Sequence, residues 1–246
     1  MKKRSVALPI AVAVACVPFA AMAYDINTVG NLTQSEFHDL SEDLGAALSY
    51  KPLIPTEALG LAGFDIGIGL AGTALKNPVL LSKASNGAEV RKTMPLVSLR
   101  ADKGLPWGID IAGSYTIVPD NSMRVFGGEV RWAFLPGTTT MPAVGIRASG
   151  SKLTGIDQLD FTSYGLDISI SKGFAIFTPY GGIGEVWVRN SPQGVATTTP
   201  TQLREEKFTQ TKFFAGVNIN VGVNFAFEYD NTGGVSTFGA KAGLRF

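Results

Sequence analysis

Apolar and polar residues alternate with a period of two along most of this chain, from about residue 62 to its end. Ten such stretches stand out, at about 62–75, 93–104, 107–118, 122–135, 140–151, 159–172, 175–189, 208–221, 222–230 and 235–246. Successive side chains of a strand point to opposite faces, so each stretch predicts a strand with one apolar face. Phe64, Ile66, Ile68 and Leu70 make such a face, as do Ile109, Ile111 and Tyr115, and Val217, Ile219 and Val221. The opposite face is small or charged. Residues 24–58 break the pattern. Thr33-Gln34-Ser35-Glu36 has the form of a capping box, and Phe37, Leu40, Leu44, Ala47 and Leu48 recur at helical spacing. These predict a short amphipathic helix over about 34–49, ended by Pro52 and Pro55. A strand over 44–53 competes for the same residues, and with another upstream it would raise the count to twelve.

The same alternation serves a soluble sandwich or a membrane barrel, and two observations favour the membrane. Connections alternate in length: Lys103–Pro106, Pro136–Thr139, Lys172–Phe174 and Val221–Gly222 are short, while 76–92 and 190–207, on the other side, are long. Short periplasmic turns with longer outer loops are the pattern of transmembrane barrels. Aromatics also fall at strand ends on the apolar face. Trp107, Trp132, Phe134, Tyr180, Phe225 and Phe246 would ring one interface, and Tyr115, Phe126, Tyr164, Phe213, Tyr229 and Phe238 the other. An open sheet edge in lipid would strand backbone polar groups, so the strands must close. The expected fold is all-β: a closed antiparallel transmembrane β-barrel of about ten strands with a short N-terminal helical segment.

The amino terminus agrees with that compartment. Lys2, Lys3 and Arg4 precede the mostly apolar stretch 5–21, and Ala21-Met22-Ala23 is a small-x-small cleavage signal. The chain divides into a signal peptide (1–23), a periplasmic or lumen-plugging helical segment (24–58) and an outer-membrane barrel (59–246). A membrane anchor needs about 20 apolar residues, more than this stretch offers, and lipoprotein processing at Cys16 lacks the usual leucine before the cysteine. Cys16 is the one cysteine, so the mature chain has no disulfide or thiolate chemistry. Cleavage removes three of 21 basic residues against 20 acidic ones. The balance turns slightly acidic and does not suggest a nucleic-acid partner.

The polar face would line the lumen with Asp65, Arg100, Asp102, Asp110, Glu129, Arg131, Arg147, Asp167, Glu185, Arg189, Lys212, Glu228, Lys241 and Arg245. Both signs are equally represented. A lumen of one sign would select ions; a balanced one reads as a network of ion pairs filling a narrow barrel, or as the lining of a narrow passage. Inward glycines, among them Gly67, Gly69, Gly127, Gly145, Gly216 and Gly239, would make room for long basic side chains. Gly181-Gly182-Ile183-Gly184 would mark a bulge or bend.

The final strand, Val235 to Phe246, resembles the closing strand of bacterial outer-membrane barrels, whose terminal phenylalanine is read by the barrel-assembly machinery. That resemblance makes Phe246 an assembly signal. The helical segment leading into Gly60-Leu61-Ala62-Gly63-Phe64 is similar to the hatch-to-first-strand region of the long-chain fatty-acid transporter family. It implies a hatch in the lumen and a small hydrophobic ligand. That family has fourteen strands and an Asn-Pro signature after its hatch helix, where this chain has Asn77-Pro78 in an outer loop. The wider likeness is to uncharacterised proteobacterial outer-membrane proteins of this size.

Barrel enzymes of the outer membrane resemble one another in a rim histidine beside Asp, Ser or Asn. The one histidine here, His38, lies before the barrel and reads as a solvated helix residue. No catalytic, cofactor-binding or metal-ligating set emerges. Outer-membrane lipid and the assembly machinery are the expected partners. Two functions remain: passive passage of small or hydrophobic solutes, and a closed structural or surface-binding barrel.

Overall fold

The computed structural model describes residues 24–119, 121–194 and 203–246. The expected signal peptide with Cys16, Asp120 and the middle of the second long loop lie outside the described residues. Ten strands follow one another around the barrel: β1 (Phe64–Ala74), β2 (Thr93–Gly104), β3 (Ile109–Ile117), β4 (Arg124–Leu135), β5 (Ala143–Thr154), β6 (Leu159–Ser171), β7 (Phe177–Pro192), β8 (Glu206–Asn220), β9 (Asn224–Thr232) and β10 (Val235–Arg245). Each pairs antiparallel with its neighbours, and β10 closes on β1 from Asp65↔Arg245 to Ala74↔Ser236. Phe246 extends the seam: its N–H and C=O pair with Phe64 at 2.9 Å each, and the two rings lie 4.9 Å apart.

Alternation decides which way each side chain points. Ile66, Ile68, Leu70, Leu99, Val130, Leu166, Ile168, Ile183 and Phe227 stand outward and exposed, the surface that hydrocarbon requires. Aromatic rings bound this band at both ends. Tyr115 stacks on Phe126 and Tyr229 on Phe238, each pair at 5.1 Å, at one end; Trp132 meets Phe134 at 5.8 Å at the other. A closed barrel with an apolar, aromatic-bounded exterior is a transmembrane barrel of the outer membrane. One end bears the long connections 75–92 and 193–205 along with 118–123, 155–158 and 233–234; the other bears 105–108, 136–142, 172–176, 221–223 and Phe246. Barrels of this kind carry their longer loops outside, which makes the first end the outer one and the second periplasmic.

The parity of β7 is the reverse of the expected one. Tyr180 is buried inside the barrel rather than in an aromatic ring, and Phe177 stands outside. No bulge occurs at 181–184, where β6 and β7 pair without a break; the register shift lies between Trp132 and Leu135. Gly182 instead makes room for the Phe214 ring, which a Cβ would approach to 2.5 Å.

Residues 44–53 form no strand. Helix α1 (Gln34–Leu48) carries the complete capping box of Thr33 and Glu36, and a second helix, α2 (Pro78–Ala84), lies in the first outer connection. Helix α1 packs inside the barrel. Phe37, Leu40, Leu44 and Leu48 are buried against inward side chains of the outer half: Met94, Leu96, Val125, Leu153, Phe161, Val186 and Val188. Full burial of each such side chain contributes about 1.5–3 kcal/mol.

Candidate functional site

The lumen is the one interior this fold creates, and it is filled from end to end in two different ways. The outer half is the apolar core just described. The inner half is charged. Lys241 donates to both oxygens of Asp65 at 2.9 Å. Arg131 bonds Asp110 at 2.6 Å and Glu129 at 3.1 Å. Arg147 faces Glu129 at 3.0 Å and Asp167 at 3.9 Å, with its guanidinium 5.5 Å from the Phe214 ring centre. Lys212 stands 3.6 Å from Asp167 and 3.8 Å from Asp230.

Asp65, Arg100, Asp102, Asp110, Glu129, Arg131, Arg147, Asp167, Lys212, Glu228 and Lys241 are all buried in this interior. Arg245 is half-exposed on the same face near the periplasmic mouth. Glu185 and Arg189 are elsewhere, because the parity of β7 puts them outside. Glu185 accepts from the Thr211 hydroxyl at 2.9 Å on the exterior, and Arg189 pairs with Glu205 near the outer end. Their inward neighbours are Val186, Val188 and the buried Asn190. At this height the lumen is an apolar core, so charge marks the water side and not the inside.

Sequence reasoning missed the residues that tie the N-terminal segment to the wall. Tyr24 and Asp25 meet Asn121 and Ser122 in the β3–β4 outer connection. Val29 bonds Gln158 of the β5–β6 connection at 2.9 Å, and Asn27 and Thr28 bond Ala84 at the end of α2. Midway down, Lys51 donates to Asp230 at 2.8 Å, Arg100 donates to the Tyr50 hydroxyl at 2.6 Å, and the Leu53 N–H donates to Glu228 at 2.9 Å. Near the periplasmic end, Thr56 bonds Ser169 at 2.8 Å and the Leu59 N–H bonds Asp110 at 3.2 Å. The chain enters at the outer end, descends the whole lumen and leaves at the periplasmic end to begin β1.

Three inward glycines serve this segment. A Cβ at Gly127 would come within 2.9 Å of the Tyr50 ring, one at Gly239 within 2.9 Å of a Leu53 methyl, and one at Gly145 within 2.9 Å of the Thr56 methyl. Leu53 adopts φ 50°, a left-handed conformation costly for a side-chain-bearing residue. It is held there by Glu228 and by the notch that Gly69 and Gly239 form on either side of the β1–β10 seam. A space of about 40 Å³ lies between this segment and the wall, lined by Tyr50, Leu53, Ser98, Arg100, Ser114 and Ser151.

His38, on α1 at the outer end, bonds Glu206 of β8 through Nδ1 at 2.8 Å, faces Glu42 at 3.5 Å and meets the Phe208 ring edge-on. The hydrogen bond to Glu206 holds its imidazolium above the usual histidine range. Both of its ring nitrogens thus face carboxylates.

No family model and no curated protein matches the chain. Among solved structures it is similar to the attachment invasion locus protein Ail of Yersinia pestis (17% identity over 77% of this chain and 99% of that one, TM-score 0.35). It is similar also to the N-terminal β-barrel domain of Pseudomonas aeruginosa OprF (14%, 76% and 99%, TM-score 0.38). The translocator domain of the autotransporter NalP from Neisseria meningitidis is a third (9%, 75% and 87%, TM-score 0.37). These are likenesses of one barrel to others and say nothing of what this chain binds.

Proposed function

We propose that this protein is a sealed outer-membrane barrel that acts at its outer face, as a structural or surface-binding element, and is not a conduit for solutes. The observation that carries this reading is the occupied lumen: residues 24–58 run through it from the outer connections to the periplasmic mouth, and the space beside Tyr50 is about 40 Å³. A space of that size holds a few water molecules and no larger solute. The segment is bonded to the wall at every level, and the wall carries glycine notches shaped to it. Every strand also pairs with both of its neighbours, and the one register shift lies near the periplasmic end of β4, between Trp132 and Leu135. Phe246, exposed at the periplasmic end of the seam, is the residue we assign to the barrel-assembly machinery, and the apolar exterior is its contact with lipid.

The test is single-channel recording of the refolded full chain in a planar bilayer, with insertion shown by resistance of the barrel to added protease. Silence at 1 M salt is the expected result. Discrete conductance steps of the intact protein would restore the passage reading and sink this one.

A further inference from the structure

We infer that residues 24–58 form an eleventh crossing of the membrane, so that the barrel carries its own N-terminal end to the cell surface and presents it there. The two ends of the barrel are told apart by their longest connections: 75–92 and 193–205 lie at one end, and at the other, beside Phe246, no connection is longer than 136–142. Short turns face the periplasm. Tyr24, Asp25, Asn27 and Thr28 all bond residues of the long-connection end, namely Asn121, Ser122, Gln158 and Ala84. Leu59, at the far end of the same segment, bonds Asp110 at the periplasmic side. Ten strands alone return the chain to the side where β1 began; the lumen segment adds one crossing and puts Tyr24 and Phe246 on opposite sides.

The path also dictates an order of assembly. Leu53 sits in the notch between Gly69 of β1 and Gly239 of β10, under the seam that closes the barrel. The segment's outer part is folded: α1 packs inside the outer half, and the turn at Val29–Asn31 packs on α2 of the first outer connection. Threading that folded part through an already closed barrel would require α1 to unfold first. The segment therefore enters before β10 pairs with β1, and the strands close around it. Presentation of an N-terminal peptide at the surface is then a built-in activity of the fold. It rests on the direction of the barrel and not on a sealed lumen, so a conducting protein would leave it standing.

Residues 24–246 contain no cysteine, which makes single-thiol mapping clean. Asn27→Cys, at an exposed position of the outer cap, and Thr139→Cys, in an exposed periplasmic turn, are each expressed in a Gram-negative host. Both are treated with a membrane-impermeant maleimide before and after permeabilisation, with the unmutated protein as blank. Asn27→Cys is expected to label on intact cells to within about twofold of its permeabilised value, while Thr139→Cys gains at least about tenfold on permeabilisation. Protection of Asn27→Cys on intact cells, or labelling of Thr139→Cys on them, overturns the inference. Should either thiol variant fail to accumulate, an epitope inserted between Ala23 and Tyr24 reports the same thing. Antibody binding to intact cells supports the crossing, and binding only after lysis refutes it.

Discussion

Lys241 on β10 and Asp65 on β1 make the ion pair that spans the closing seam, and removing one partner tests whether the charged half of the lumen holds the barrel shut. The ammonium lies 2.9 Å from both carboxylate oxygens, and the two side chains are 0% and 1% exposed. Asp102 stands directly across from Asp65 on β2, so Lys241→Met leaves two buried carboxylates side by side. Breaking a buried pair on one side costs about 3–5 kcal/mol. A second route bounds the loss: neutralising a carboxyl of ordinary acidity at pH 7 costs about 4 kcal/mol, from three units at 1.36 kcal/mol each. Lys241→Met should therefore lower the unfolding free energy by about 3–4 kcal/mol. The double variant Lys241→Met/Asp65→Asn, with no charge left at Asp65, should recover at least half of that. Equilibrium urea unfolding in lipid vesicles, followed by the fluorescence of Trp107, Trp132 and Trp187, reads both. A single variant within 1 kcal/mol of the parent, or a double variant no better than the single, would refute the reasoning.

Three more outcomes follow from the geometry. Ile68 lies midway along β1, between the Phe64–Phe246 ring contact and the level of Phe238, so Ile68→Arg should cost about 2–4 kcal/mol of folding free energy in vesicles. Ile111→Arg should cost clearly less, because Ile111 pairs with Lys103 near the periplasmic rim; equal losses would contradict the placement of the bilayer. Gly239→Val sets a Cβ 2.9 Å from Leu53, which should destabilise by about 1–3 kcal/mol and be relieved by Leu53→Ala in the same unfolding assay. The contact of His38 with Glu206 raises the pKa of the imidazole. Its contribution is full below the ordinary histidine value of about 6.5 and fades as pH rises through the raised one. Hydrogen exchange in the first turns of α1 should thus quicken, beyond the intrinsic change, between pH 5.5 and 8.5, and His38→Gln should remove that dependence.

How much of this was legible in the sequence depended on what each face touches. All ten strands were found to within a few residues because lipid demands an unbroken apolar face, and that demand repeats on every strand. The helix was read over 34–49 and observed over Gln34–Leu48, since a capping box and a 3.6-residue stripe are local signals. The lumen was read well only in its inner half, where charge and inward direction coincide. In the outer half they separate. The inward residues there are Met94, Leu96, Val125, Phe161, Val186 and Val188, so both faces of those strand ends carry large side chains and parity must be counted from below. Counting from the wrong end of β7 turned Tyr180 outward and Glu185 and Arg189 inward. Asp230 continues the even-numbered inward face of β9 beyond Glu228, and parity alone would have found it. Lys51 carried no such signal, because its direction comes from a path through the lumen that no periodicity describes. The glycines were read as room for arginine and lysine, and three of them in fact receive Tyr50, Leu53 and Thr56.

Charge supports the proposed reading of the segment as a fixed part of the wall. The strands bury seven acids in the lumen, Asp65, Asp102, Asp110, Glu129, Asp167, Glu228 and Asp230, against five bases, Arg100, Arg131, Arg147, Lys212 and Lys241. Lys51 of the segment supplies a sixth base at 2.8 Å from Asp230, and the Leu53 N–H supplies a donor to Glu228. The segment also buries Asp43, whose carboxylate accepts from the Lys76 and Asn77 N–H groups, and the half-exposed Arg245 adds a seventh base near the mouth. Withdrawing the segment would leave Asp230 and Glu228 short of a partner in a narrow space. It would also uncover the apolar outer half, where Phe37, Leu40 and Leu44 cover Met94, Val125 and Phe161. Each of those buried side chains contributes about 1.5–3 kcal/mol, and each unpaired acid would cost a comparable amount. The sum exceeds what a protein of ordinary stability has to give. A barrel that had to open would keep its lining complete without its occupant; this one completes its apolar lining, the partners of Asp230 and Glu228, and its glycine notches only with the segment in place.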